Sequence, residues 1–236
     1  MSDGKIAQYV EYALGEIVLV VIGILIALQI NNWNQTSINL KNERIYLLGL
    51  KEEFQTSKLK LDELMLVNQK NYNNALKILQ FIGSKNVLPG EAEFSSLMYD
   101  TFAEDISYNP NNSLLFEMIS SGNLKNLTNT ELRKQLTNWI STLEDISKQE
   151  IELGNQRKTV LDMFQSSKYS IRTVLKYSGT NNDLRLTNHA ISNLGLLKSV
   201  EFENNLLMFI LSCKATEKAH YLPLQQDLDL ILKLLS

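Results

Sequence analysis

The side chains best suited to catalysis are few, because the chain has one cysteine, Cys213, and two histidines, His189 and His220. On a helix, Cys213 and His220 would share a face but lie about 10 Å apart. A nucleophile and its base need contact within about 3 Å. The spacing therefore predicts no catalytic pair. Because Cys213 follows Leu206 and Ile210 at helical intervals, we predict that it is a small core residue.

The Glu217-x-x-His220 motif matches half of a di-iron carboxylate signature. Such a site requires a second Glu-x-x-His pair, but the residue three before His189 is Leu186. The sequence also contains no glycine-rich phosphate loop, no Gly-x-Ser-x-Gly elbow and no Cys-x-x-Cys pair. We therefore expect a non-enzymatic protein without metal, cofactor or catalytic residues. The acidic pairs Glu52/Glu53 and Asp227/Asp229 are interpreted as solvated helix faces.

Composition excludes several further classes of protein. The chain has 236 residues, of which 44% are hydrophobic and 21% charged, with 3 prolines and 10 glycines. These values exclude collagen-like, disordered and disulfide-rich proteins. The net charge of -3, with both signs mixed along the chain, gives no electrostatic footprint for nucleic acid.

A membrane-spanning helix is the strongest prediction from the sequence. Residues 17–28 read IVLVVIGILIAL, and no charged residue occurs between positions 17 and 40. Tyr9 and Tyr12 precede this run and Trp33 follows it, as in the aromatic belts at membrane interfaces. From Tyr12 to Trp33 a helix extends about 31 Å, which matches the hydrocarbon thickness of a bilayer. We therefore predict that residues 1–35 form a transmembrane anchor in the lipid bilayer.

Two alternatives to a membrane anchor remain open. The run could be a buried core helix of a water-soluble protein. It could also be a cleaved signal peptide, with Lys5 as its basic region, but no Ala-x-Ala pattern follows Ala27. An uncleaved anchor is the preferred interpretation.

One face of the predicted membrane helix is suited to helix packing. At about 100° per residue, a wedge about 100° wide contains Tyr12, Glu16, Gly23, Ala27 and Asn31. Gly23-x-x-x-Ala27 is a small-xxx-small pair, which lets two helices approach closely. The face could pack against a second copy of the chain or a partner membrane protein; alternatively, the small residues occur there by chance.

Residues 36–236 are predicted to form a bundle. Apolar residues at steps of three and four predict a long helix up to the GSKNVLPG segment, a short one over residues 91–103, another long one from Leu132, and a last one over residues 200–235. Gly154 could kink or break the second long helix, whose stripe continues toward Ile171 and Leu175, and Pro223 could bend or divide the last. The secondary structure predicted for residues 183–198 is ambiguous. The fold class is all-α, with the membrane helix followed by an elongated antiparallel bundle.

A helix corner is the clearest local motif. Ser113 is a candidate N-cap, and Gly122 is expected to end the short helix that follows it in a left-handed conformation. Thr128 and Glu131 have the spacing of a capping box, and Leu127 and Leu132 that of a hydrophobic staple. We interpret the corner as structural.

Two blocks of the sequence resemble a known family. Residues 12–34, YALGEIVLVVIGILIALQINNWN, resemble the opening helix of an uncharacterised bacterial family of single-pass membrane proteins. Residues 109–136 resemble its second recurrent block. The resemblance implies a membrane protein with a helical domain outside the cytoplasm, but no reaction. The chain's own charges leave the orientation open, since Lys5 and the α-amine on one side balance Lys41 and Arg44 on the other.

The sequence therefore predicts a membrane-anchored helical interaction or scaffold module without enzymatic activity. The alternative is an extracytoplasmic sensor subunit, in which a ligand shifts helices and the membrane helix transmits the shift. A pocket between helices lined by convergent polar groups would favour the sensor. An enzyme would instead require clustered carboxylates with raised pKa values in a cleft.

Overall fold

The computed structural model describes residues 3–84, 88–179 and 191–236, with side chains from Leu14 onward. His189 and most of the ambiguous stretch before Lys198 lie outside these residues. The described residues form helices and contain no strand, so the predicted all-α class is confirmed.

The first helix, α1 (Asp3–Phe81), runs without interruption through the predicted anchor and into the bundle. From residue 14 to residue 42 every side chain is exposed, and Glu43 is the first that is buried. Beyond it, Leu50, Phe54 and Leu61 are fully buried at helical intervals. Gly83 has φ +75 just after the helix, which confirms the end predicted from the GSKNVLPG segment.

Two short helices lead the chain back along α1. Helix α2 (Glu91–Phe102) has the predicted limits to within one residue, and α3 (Ser113–Ser120) begins after Asn112 rather than after Ser113. Between them lies an irregular stretch, residues 103–112, which we call the connecting segment. Contacts with α1 occur in reverse order, from Lys70 with Glu104 to Glu53 with Leu114. This part of the chain is therefore antiparallel to α1.

The next helix, α4 (Thr130–Asp162), runs in the same direction as α1. The ring of Trp139 packs on Phe54 with their centroids 5.1 Å apart. Gly154 does not break α4, so of the two alternatives the break is wrong. The apolar stripe does not continue in one helix to Ile171 either, because α4 ends at Asp162 and a separate helix, α5 (Ile171–Tyr177), follows.

The final helix runs back toward the predicted membrane. It consists of α6 (Val200–Ala215), a π-helical turn (Thr216–Tyr221) and α7 (Leu222–Leu234). Pro223 stands in the first turn of α7, where a proline needs no hydrogen-bonded N–H, so it neither ends nor divides the helix there. Gln225 bonds Asp62 and Asn68 bonds Glu217, so the final helix is antiparallel to α1.

Within the described residues, the bundle therefore has four helical rods that alternate in direction: α1, α2 with α3, α4, and α6 with α7. The second rod is interrupted by the connecting segment. The core between them consists of leucine, isoleucine and aromatic side chains, including Phe54, Phe94, Trp139, Phe202 and Tyr221. The long helices and their antiparallel neighbours match the predicted elongated bundle.

Candidate functional site

The exposed half of α1 contains the predicted packing face. Glu16, Gly23, Ala27 and Asn31 are all exposed, and a Cβ built on Gly23 would meet no described atom within 4 Å beyond its chain neighbours and the adjacent backbone of its own helix. Trp33 is exposed as well, whereas the side chains of Tyr9 and Tyr12 lie outside the described residues. Nothing in the described part of this chain covers the face.

The apolar window of α1 is the one stretch among the described residues that is long and apolar enough to cross a membrane. Its mean hydropathy is 2.3 and none of it is buried. Burying a side chain such as Leu or Ile is worth about 1.5–3 kcal/mol relative to leaving it in water. The exposure of so many such side chains argues against the core-helix alternative and makes this helix a candidate membrane span.

The helix corner is present, but its capping residue differs from the prediction. Gly122 has φ 72, as expected, and Leu127 and Leu132 are buried. The N-cap of α4 is Asn129, whose side chain accepts a bond from the Leu132 N–H at 3.0 Å.

The Thr128–Glu131 capping box is therefore wrong. Glu131 accepts instead from Gln135, and Thr128 donates its N–H and its hydroxyl to Glu43, at 2.5 and 2.8 Å. The reason is that Asn129 is as good a cap as threonine, and Glu43 of α1 satisfies Thr128 from across the bundle.

Glutamates on the helices accept hydrogen bonds from backbone N–H groups of the segments that connect the rods. Glu53 accepts from the N–H groups of Leu114 and Leu115 at the start of α3, where a negative charge is favoured by the helix dipole. Glu91 accepts in the same way from Asn193. The interpretation of Glu52/Glu53 as a solvated face therefore holds for Glu52, which is exposed, and is wrong for Glu53.

Glu150 is the centre of the buried polar groups around the connecting segment. It is 7% exposed, accepts from the Tyr108 N–H at 2.9 and 3.0 Å, and accepts from the Tyr221 hydroxyl at 2.6 Å. Burial raises the pKa of Glu150, and these hydrogen bonds oppose the rise. The same carboxylate thus ties α4 to both the connecting segment and the π-helical turn.

Further bonds fix the connecting segment to α1. The Tyr108 hydroxyl donates to the Ser57 carbonyl at 3.0 Å, and Lys60 donates to the Asn109 carbonyl, also at 3.0 Å. The Ser57 hydroxyl exchanges bonds with the backbone of Asn111 at 2.9 and 3.2 Å. These bonds replace the ones that an uninterrupted second helix would make within itself.

A second set of polar groups lies against the π-helical turn. Asn68 of α1 donates to the Cys213 carbonyl and to Glu217, both at 3.1 Å, and Gln149 donates to Thr216 at 3.0 Å. Asn71, also buried, has no hydrogen-bond partner among the described residues. Turns of this kind often mark functional positions in helices.

The fold does not bring together the residues that the sequence offered for catalysis or metal binding. Cys213 is fully buried, as predicted, and burial raises the pKa of its thiol to about 12, which makes it unreactive. His220 faces Asp145, with 3.4 Å between Nδ1 and Oδ2, while Glu217 bonds Asn68. No group of three or more His, Cys, Asp or Glu side chains able to hold a metal occurs within the described residues.

A family model described as a family of unknown function, DUF6090, matches residues 16–183, which is more than half of the chain. The chain belongs to the DUF6090 family. No curated protein and no solved structure matches it significantly.

The DUF6090 match includes most of the apolar window, the connecting segment and α4, which contains Glu150, but it ends before α6. The π-helical turn, and with it Tyr221, therefore lies outside the matched residues. The partner of Glu150 that the match contains is the backbone N–H of Tyr108.

A cleft of about 330 Å³ opens between the connecting segment and α4 of this DUF6090 protein. It is lined by polar and apolar groups, among them Asn109, Asn112, Phe116, Ser147 and Glu150. Several of the polar groups already have partners: Asn112 accepts from the Trp139 indole at 2.9 Å, and Glu150 has the bonds given above. Sequence patterns could not reveal this cleft, because its two walls lie about forty residues apart.

Proposed function

We propose that this DUF6090 protein is a single-pass membrane protein without enzymatic activity, whose helical bundle makes protein–protein contacts outside the cytoplasm. The observation that carries the proposal is the continuity of α1. One helix presents an entirely exposed apolar window and then, from Glu43 onward, buries one face in the bundle core.

The contact role is supported by apolar side chains exposed on the bundle itself. Val200, Met208 and Leu211 of α6 are at least half exposed. Exposed apolar groups on one helix face are typical of surfaces that bind other proteins. The orientation is supported by the resemblance of residues 12–34 to the opening helix of single-pass proteins.

Lysine substitutions test the anchor. Ile22→Lys combined with Ile26→Lys adds two charges at mid-span, each costing about 2.5–3.5 kcal/mol on insertion scales. We expect this double variant to leave the membrane fraction after ultracentrifugation. The matched control is Ile151→Lys, an exposed isoleucine of α4, which should stay with the membrane. Recovery of the unaltered chain in the aqueous fraction would refute the proposal.

Cysteine labelling tests the orientation. Asn155→Cys places a thiol on the exposed side of α4, and the buried Cys213 provides an internal control that stays unlabelled while the protein is folded. A membrane-impermeant maleimide applied to intact cells should label the variant. Labelling only after lysis would place the bundle in the cytoplasm.

The sensor function is the second candidate, because the cleft between the connecting segment and α4 is a pocket of the expected kind. Its wall is tied to α1 through Tyr108 and Ser57, so a ligand there could shift the helix that continues into the membrane segment. The proposal predicts that Ser147→Trp, which fills the cleft, abolishes any ligand-induced shift of α1 in the full-length protein. The membrane association of the variant should remain intact. An unchanged response would exclude the cleft as the sensing site.

A further inference from the structure

The outward side of α1 shows a regular pattern that the bundle does not use. Exposed positions recur at seven-residue intervals, at Ile24, Asn31, Ile38, Ile45, Glu52, Leu59 and Leu66. Five of these seven residues are apolar. Ile45 and Leu59 are 60% and 64% exposed, on the side of α1 opposite the buried Leu50 and Leu61.

The predicted packing face lies on this same side. Ala27 precedes Ile45 by eighteen residues, which is about five full turns. The Gly23-x-x-x-Ala27 pair and the outer apolar positions therefore belong to one face of a single helix, which we call the outer face.

We propose that a second copy of this chain packs in the same orientation along the outer face, from Gly23 to Leu66. This inference rests on the proposed membrane anchorage. Because both copies would be anchored from the same side of one bilayer, their α1 helices run parallel, and residues with equal numbers meet.

Spacing and chemistry favour a copy of the chain over an unrelated partner. An apolar position that recurs every seven residues stays on the contact side when two parallel helices wind around each other. Asn31 belongs to the repeat, and an asparagine at such a position pairs with its own counterpart and fixes the register. Gly23 and Ala27 allow close approach in the lipid region.

The area of the outer face is sufficient for a stable dimer. From Gly23 to Leu66 the helix is about 65 Å long, and a contact strip about 10 Å wide amounts to roughly 650 Å² on each copy. The total of about 1,300 Å² falls within the range for specific protein interfaces. Since the core of each bundle lies on the far side of its α1, the two bundles point away from each other.

Disulfide crosslinking of the full-length chain in membranes tests the proposal. Cysteines at equal positions of two parallel helices lie within the Cα distance that a disulfide requires. We expect Leu59→Cys to form a crosslinked dimer with copper–phenanthroline as the oxidant. The matched control is Ile151→Cys, at an isoleucine that is 63% exposed on α4, which should remain monomeric. Equal crosslinking of the two variants, or none, would overturn the proposal.

Disruptive substitutions provide the second arm. With Ile45→Cys as the reporter, Leu59→Glu should lower the crosslinked fraction about tenfold or more, because it sets two charges against apolar neighbours. Ile151→Glu, at an exposed position of α4, should leave the crosslinked fraction unchanged. Equal effects of the two charges would contradict the outer face as the interface.

Gly23→Ile combined with Ala27→Ile tests the membrane part of the face and should lower the yield of the Leu59→Cys dimer. Val18→Ile is its control, because Val18 lies two and a half turns before Ala27, on the opposite side. An unchanged yield in the double variant would contradict close approach within the membrane.

Fractionation separates the two failures. A chain that stays in the membrane fraction without crosslinking refutes the dimer alone. A chain found in the aqueous fraction refutes the anchor on which the dimer depends.

Discussion

The two halves of α1 belong to one helix but differ in burial and in the reach of their contacts. Up to Asn42 each described side chain is exposed, and the side-chain hydrogen bonds Gln35–Asn39 and Thr36–Asn32 link residues of α1 four positions apart. From Glu43 onward, one side is buried and bonds reach residues far along the chain, as between Glu43 and Thr128. Both halves are therefore helical, whereas tertiary contacts with the rest of the bundle begin at Glu43.

The largest effect on stability should come from a core contact in the half of α1 that begins at Glu43. Phe54→Ala removes a fully buried ring that packs on Trp139 and should lower the free energy of unfolding by about 3–5 kcal/mol. Urea unfolding of the detergent-solubilised chain, followed by circular dichroism, measures the change. Val20→Ala, in the half of α1 that precedes Glu43, is the control and should leave the urea midpoint of the bundle unchanged. Equal losses in both variants would contradict the division at Glu43.

A smaller effect is expected from the first buried glutamate. Glu43→Ala leaves the N–H and the hydroxyl of Thr128 without their acceptor, at a cost of about 1.5–3 kcal/mol. Glu16→Ala, an exposed glutamate of the same helix, should not change bundle stability. Equal urea midpoints for Glu43→Ala and the unaltered protein would show that the tie to Thr128 does not stabilise the corner.

The corner itself separates two capping schemes. Asn129→Ala should cost about 1 kcal/mol because it removes the acceptor for the Leu132 N–H. Glu131→Ala should cost less than about 0.5 kcal/mol, as is typical of exposed positions. A larger loss of unfolding free energy in Glu131→Ala than in Asn129→Ala would instead support the Thr128–Glu131 capping box.

The smallest effect concerns pH. Burial raises the pKa of Glu150 above its ordinary value of 4.5, so the folded state holds this proton more tightly than the unfolded state. Its contribution to stability is therefore present at low pH and declines as pH rises from about the ordinary value to the raised one.

Glu150→Gln should flatten this decline in urea midpoints measured across the acidic range. Burial also raises the pKa of Asp227, so some decline should remain in the variant. A slope as steep as that of the unaltered protein would show that Glu150 does not contribute to it.

The helices were predictable because their signals are local. The spacing of Leu50, Phe54 and Leu61 indicates a half-buried helix, and Gly83 and Gly122 mark ends that need a left-handed residue. The rods and the exposed apolar window therefore followed from sequence.

The polar ties were not predictable, because their partners are distant in the chain. Glu43 and Thr128 are 85 residues apart, and Tyr221 and Glu150 are 71 apart. A buried glutamate that caps a distant loop has the same local sequence as a solvated one, which is why Glu53 was misinterpreted. The capping error arose because Thr128, Asn129 and Thr130 are all good N-caps, and only the packing of Glu43 decides among them.

Under the membrane anchorage proposed above, the position of Glu43 sets a height above the lipid. Ten residues separate it from Trp33, so with Trp33 at the interface the foot of the bundle stands about 15 Å farther out along the helix axis. The corner at Gly122 is thus carried on a stalk, clear of the headgroups. Changes in lipid composition should therefore act on the stalk and the span beneath it, and leave the loops of the bundle untouched.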